Sequence, residues 1–121
     1  MNRERRRKRS SFTALALQYW LNAVAQRKKL MALVLADSAG LLVAASFRGP
    51  EAEELAALAP LLARPGQPLA ALEEAPSLPL EIRPMHIERA SLYLCAVGDL
   101  TRTGDGLRVA ETGVHRILSI Q

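Results

Sequence analysis

Seven consecutive apolar residues, Leu30-Met31-Ala32-Leu33-Val34-Leu35-Ala36, constrain this chain more than any other feature of its sequence. A half-exposed strand alternates apolar and polar residues, whereas an amphipathic helix repeats its apolar positions every three to four. A short unbroken run bounded by turn residues suits a strand covered on both faces. Asp37-Ser38-Ala39-Gly40 then supplies a tight turn, with Gly40 able to take the positive φ such turns need. Leu41 to Phe47 reads as the returning strand, which makes 30–47 a hairpin. The same double-sided pattern recurs at Ser91 to Gly98, where Leu92, Leu94 and Ala96 alternate with Tyr93, Cys95 and Val97. Leu80 to Glu88 reads as its partner strand. Leu80 and Ile82 share one phase and Met85 and Ile87 the other, so the switch at Pro84 predicts a bulge on an edge strand.

Helical periodicity fills the remaining segments. Ser10 or Ser11 is placed to cap a first helix, whose Ala14, Leu17, Leu21, Val24 and Ala25 fall at three- and four-residue spacing up to about Arg27. Gly49-Pro50 opens a second, with Glu51, Glu53 and Glu54 in the first turn as the helix dipole favours. Beyond that turn little polar surface is left, so this helix needs two neighbours: the sheet and one more. Pro60 predicts a kink, and Pro65-Gly66 ends the helix. Gln67 to Pro79 reads as an irregular connection. A last helix spans about Gly106 to Ile120, after a loop from Asp99 to Asp105, with one stripe of Leu107, Ala110, Val114, Ile117 and Leu118. Gly113 inside it marks either close packing or a local cost in stability.

Strands apolar on both faces need cover above and below. Three helices supply it as an α/β/α sandwich, an α+β arrangement with one antiparallel sheet of four to five strands, one helix on one face and two on the other. At 121 residues the chain forms one domain, 11–121, preceded by a basic tail, 1–10. The net charge of +4 belongs to that tail: Arg3, Arg5, Arg6, Arg7, Lys8 and Arg9 against Glu4 give +5 there, and the rest carries −1. A block of like charge predicts disorder when isolated. A nearly neutral body argues against a nucleic-acid-binding face on the domain itself. One cysteine excludes an internal disulfide framework, and the absence of a long apolar stretch or a cleavable leader points to a cytoplasmic protein.

The run ALVLADSAGLLVAAS, then PEAEELAALAPLLA, then SLYLCAVGD and a terminal amphipathic helix resembles the roadblock/LC7 domain, of profilin-like topology, over about residues 12 to 120. The D-x-x-G-L turn of Asp37, Gly40 and Leu41 is its most recognisable local feature. The resemblance implies a homodimer whose second helices pack together and whose sheets join edge to edge. It also implies an adaptor or regulator of small Ras-like GTPases, some bacterial members being the gliding-motility GTPase-activating protein and its paralogs. Such members supply no arginine finger; the dimer positions the GTPase's own loops. Leu55, Leu58, Leu61 and Leu62 are then the dimer interface. The segment before Leu92 is short for the family and Pro84 interrupts edge pairing, so the helix contact is the less affected of the two.

Residue types that carry chemistry do not converge. Cys95 falls in a buried strand, where a thiol acts as a small hydrophobe. His86 and His115 have no carboxylate or cysteine at ligand spacing. Glu51, Glu53 and Glu54 are explained by helix-start electrostatics. The stretch from Gly98-Asp99 to Asp105-Gly106 matches neither a calcium loop nor a phosphate loop. The expectation is therefore a non-enzymatic dimeric adaptor with no cofactor, metal or small-molecule substrate, binding a Ras-like GTPase or a paralogous roadblock protein in bacterial motility or cell-polarity control. Whether it pairs with itself or a paralog stays open. The alternative is binding to nucleic acid or an anionic membrane surface through Arg5, Arg6, Arg7, Lys8 and Arg9. Without aromatics to stack bases in that segment, nucleic acid is the weaker of the two.

Overall fold

Because the two apolar strands are complementary on both faces, they pair with each other in the middle of the sheet. The computed structural model describes residues 2–63 and 79–119, with side chains from Phe12 onward. In chain order it contains α1 (Asn2–Lys28), β1 (Ala32–Asp37), β2 (Leu42–Ala45), α2 (Pro50–Leu62), β3 (Leu80–Ile87), β4 (Ala90–Val97) and α3 (Leu100–Ser119). The four strands form one antiparallel sheet in the order β2-β1-β4-β3. β1 meets β4 from Ala32 opposite Val97 to Asp37 opposite Leu92. Alternation then sorts the side chains. Leu33, Leu35, Leu92, Leu94 and Ala96 pack under Leu17, Leu21 and Val24 of α1 and Leu107, Ala110 and Val114 of α3. Ala32, Val34, Ala36, Cys95 and Val97 pack against Ala52, Ala56 and Ala59 of α2. The sandwich has two helices on one face and one on the other, as the sequence implied.

The turn between β1 and β2 shows why its sequence is distinctive. The Asp37 carboxylate accepts hydrogen bonds from the amides of Ala39 and Leu41, both at 2.9 Å, and so fixes the chain reversal locally. Gly40 adopts φ +81°, and a Cβ there would stand 3.2 Å from the Ala57 backbone. The turn thus needs glycine both for its dihedral and to let α2 lie against it. The ladder between β1 and β2 shifts by one residue between Leu35 and Ala36, an irregularity that the sequence did not announce.

Three elements differ from the sequence reading. α1 begins at Asn2 rather than at a Ser10 or Ser11 cap, so the basic segment enters the helix; Arg, Lys and Glu are good helix formers. No bulge occurs at Pro84. The pairing runs in step from Leu80 opposite Val97 to Ile87 opposite Ala90. The phase switch is a change of which face is apolar: Glu81 and Arg83 lie under α3, where Thr103 Oγ1 donates to Glu81 at 3.0 Å and Arg83 pairs with Glu111 at 2.6 Å. α3 starts at Leu100, six residues earlier than expected. Asp99 caps it, its carboxylate accepting the Thr101 amide at 2.9 Å and hydroxyl at 2.8 Å. Gly106, expected at the helix start, and Gly113, expected inside the helix, are packing residues, since a Cβ on Gly106 would lie 2.6 Å from Leu30 Cδ1 and one on Gly113 would enter the Trp20 ring. The connection expected at 67–79 falls almost wholly outside the described residues.

Trp20 completes the α1–α3 contact by donating its indole N–H to the Ala110 carbonyl at 2.9 Å. α1 itself ends with Lys29 at φ 56° and the Leu30 amide bonded back to Ala25 at 2.8 Å, which aims Leu30 at Gly106. Gly113→Ala should therefore destabilise the fold by about 1–3 kcal/mol through overpacking, outweighing a helix-propensity gain of about 1 kcal/mol. Gly104→Ala, whose Cβ meets nothing nearer than Glu81 at 3.7 Å, should instead stabilise by up to about 1 kcal/mol. Urea titrations of both variants followed by Trp20 fluorescence check the opposite signs.

The Asp99 carboxyl is held below its ordinary range, chiefly by the Thr101 amide and then the Thr101 hydroxyl. Its pKa is lower folded than unfolded, so the cap contributes fully above about 3.9 and is lost as pH falls through the folded value. Amide exchange in the first turn of α3 should rise over that acidic window in the native protein. In Asp99→Ala it should already be raised at neutral pH.

Candidate protein-binding surfaces

α2 touches the sheet through alanines, which leaves its leucines to a flank and an outer face. Ala52, Ala56 and Ala59 are buried, Leu55, Leu58 and Leu62 are half-buried, and Leu61 is 36% exposed. The helical repeat puts Leu55, Leu58 and Leu62 on one line beside the alanine contact and sets Leu61 off it. α2 lies over β1, with β2 and β4 to either side, and leaves β3 largely uncovered. Below that flank the same sheet face offers half-buried Leu80, Ile82 and Tyr93. The result is a step, apolar on its riser and its tread, of the kind a second helix fills.

Pro84 lies at the outer side of that step. A residue without an N–H keeps a ladder in register only where its nitrogen points away from the partner strand. The outward edge of β3 therefore lacks a donor at Pro84, which disfavours strand addition there. Among the sequence-predicted residues, Leu55, Leu58 and Leu62 come together and Leu61 does not join them. The side chains of Arg5, Arg6, Arg7, Lys8 and Arg9 lie outside the described residues.

The other side of the sheet holds further surfaces, and adjacency on α1 already sets Tyr19 and Trp20 facing different ways, one to the core and one to a partner. On α1, Phe12 and Tyr19 are 74% and 67% exposed, with Leu15 exposed between them, directly opposite the buried line of Leu17, Leu21 and Val24. Tyr19 thus faces out while Trp20 serves the core. The spacing of 12, 15 and 19 was a legible signal, masked by the stronger inner stripe. Beside it a groove of about 550 Å³ follows the edge of β2. Ala14, Leu15 and Gln18 of α1 form one wall, Ala52 and Glu53 of α2 the other, and Leu42–Ala45 the floor. No sequence signal marks this groove, because three separate elements build it.

Residues with catalytic potential stay apart. Cys95 is buried between α2 and the sheet, and burial pushes its thiol up to about 12. His86 meets Ser91 across the hairpin, at 3.2 Å, and His115 lies 3.7 Å from Glu111. Among the described residues no group of three potential ligands gathers to hold a metal. A smaller cleft at the junction of α1 and α3 is lined by Arg27, Lys28, Lys29 and Arg102. Lys28 is engaged by Asp105 at 2.7 Å, and the Asp99 carboxylate occupies the start of α3, so an anion there would meet negative charge. Lys28 and then Arg108 hold the Asp105 carboxyl below its usual range. No described helix is long and apolar enough to cross a membrane.

Among the described residues, three helices around a four-stranded antiparallel sheet, in this order and with this strand arrangement, match the roadblock/LC7 topology. Among solved structures, Myxococcus xanthus MglB, a GTPase-activating protein of the roadblock/LC7 family, shares it: the TM-score is 0.58 over 87% of this chain and 89% of that one, at 13% sequence identity. No protein-family model and no curated protein matches the sequence. At that identity the likeness establishes the fold.

The state of Cys95 is directly testable. A thiol this buried, with so little thiolate near neutral pH, should not react with a disulfide reagent at pH 8 in the native protein and should react fully in denaturant. Rapid native labelling would place the α2–sheet contact elsewhere.

Proposed function

We propose that this chain is a dimeric, non-enzymatic regulator that binds a Ras-like small GTPase or another roadblock protein. The observation that carries the reading is the fold likeness to MglB across nearly the full length of both chains. The step formed by α2 and the uncovered part of the sheet supports it, because a monomer gains nothing from leaving Leu55, Leu58 and Leu62 half-buried beside Leu80 and Tyr93. Pairing α2 with α2 of a second copy covers both risers at once, as a two-fold interface requires. Regulation then works by presenting a shaped surface to the GTPase rather than by supplying a reactive group. Residues 11–121 form the domain and residues 1–10 its basic extension. The setting suggested by the sequence resemblance is cytoplasmic control of bacterial motility or polarity.

Leu58→Glu tests the pairing. A carboxylate buried without a partner in each half of a symmetric interface is strongly destabilising. Light scattering should give twice the chain mass of 13.2 kDa for the wild type and the single mass for the variant. Circular dichroism should stay native, since Leu58 lies off the sheet contact. A wild type that runs as a monomer, or a variant that keeps the double mass, overturns α2 pairing. The GTPase reading has its own test: bacterial Ras-like GTPases should bind the wild type in one nucleotide state preferentially, and equal binding in both states counts against regulation.

A further inference from the structure

The two edges of the sheet are treated differently. The outward edge of β3 is blunted by Pro84, whereas β2 carries neither proline nor charge in its Leu42-Val43-Ala44-Ala45 sequence. Exposed strand edges are ordinarily guarded by such residues. The β2 edge is instead recessed in the 550 Å³ groove between α1 and α2, with small alanines at Ala14, Ala44, Ala45 and Ala52 leaving room for another chain. Its hydrogen-bonding groups point the right way. The Ser46 amide donates to the Leu33 carbonyl at 2.8 Å, so by strand alternation the Ala45 N–H and C=O face away from β1 and into the groove. Among the described residues no strand pairs with that side of β2.

We propose that this groove receives an extended segment of a partner protein, added antiparallel to β2, with about four apolar residues on the floor followed by acidic ones. Charge selects the acidic end. α1 runs back along the sheet past Ala14 to Asn2, toward the Leu42 end of β2, and residues 1–10 carry +5. At the other end Arg48 and Glu53 both line the groove, and Glu51 stands with Glu53 in the first turn of α2, so added acid is disfavoured there. A second copy of this chain fits poorly. Two β2 edges joined antiparallel would lay the α1 helices side by side, with the basic start of each against Arg27, Lys28 and Lys29 of the other. This inference rests on the chain's being a protein-binding regulator, but not on α2 pairing.

The probe is a phage library of random dodecapeptides selected against the full chain, followed by synthesis of the enriched peptide. Enriched sequences should carry a short apolar, β-branched stretch followed by Asp or Glu. Binding should slow hydrogen exchange of the Ala45 amide, which faces the groove in the free protein. Leu42→Glu should weaken binding about tenfold or more, and Ala45→Pro, which removes the outward donor, should do likewise. Circular dichroism and a thermal melt identify any variant that fails to fold, and the Ala45 exchange measurement on the wild type stands independently of both.

Unchanged affinity in two folded variants overturns the proposal. So does protection of the α2 flank or the Phe12–Tyr19 face in place of Ala45, or enrichment of basic peptides. Wild-type self-association that Leu42→Glu abolishes would assign the groove to a second copy. Phosphatidylserine vesicles that displace the peptide while protecting Phe12 and Tyr19 would assign this face to a membrane. Leu58→Glu should lose the dimer yet bind the peptide as the wild type does, so failure of α2 pairing and failure of the groove give different results.

Discussion

The pairing of β1 with β4 is the contact on which the other elements depend. Five consecutive residues of β1, Ala32 to Ala36, are buried, and their β4 partners Leu94, Cys95, Ala96 and Val97 are buried with them. Fully burying side chains such as Leu33, Leu35 and Leu94 contributes roughly 1.5–3 kcal/mol each as an upper estimate. That gain exists only if both faces are covered. α2 covers one with small residues at close range. α1 and α3 cover the other with large ones, and Gly106 and Gly113 let these two helices approach until Leu30 and Trp20 fill the space between them. The outer layers follow from the inner strands.

Much of this was legible because the signals were local. The unbroken run before Asp37, the D-x-x-G-L turn and the acidic, proline-led start of α2 each depend on neighbours within a few residues. The misreadings share a different cause. Gly104 looks like a loop residue and Gly106 like a helix start in isolation, and only the Asp99 cap and the arrival of Leu30 against Gly106 from 76 residues away show both to lie within α3. Pro84 looks like a bulge, yet at an edge its missing N–H removes nothing from the ladder. For α1, the charged start offered a familiar disorder pattern, while the composition was also compatible with helix. The candidate surfaces divide along the same line. The leucines of α2 were readable as surplus apolar surface on one element. The groove beside β2 was not, since it exists only where two helices from opposite layers flank a strand edge.

The proposed function is a matter of surfaces rather than reactive groups. The one thiol is sealed against α2, and the two histidines take part in a cross-strand contact and a helix-surface pair. What the domain offers instead is geometry: a stepped apolar face on the α2 side and a recessed strand edge at the far side of the sheet. These are separated by the width of the sheet, so occupancy of one leaves the other accessible.

The nitrogen of Pro84 has a consequence for assembly size. A sheet that can hydrogen-bond freely at both edges can add neighbours without end, and that is the route to fibres. A sheet with a donor missing from one edge is blunted there and open to addition at its other side. Growth along the hydrogen-bonding direction is thereby disfavoured at the β3 edge, so a sheet of this kind has one receptive edge rather than two.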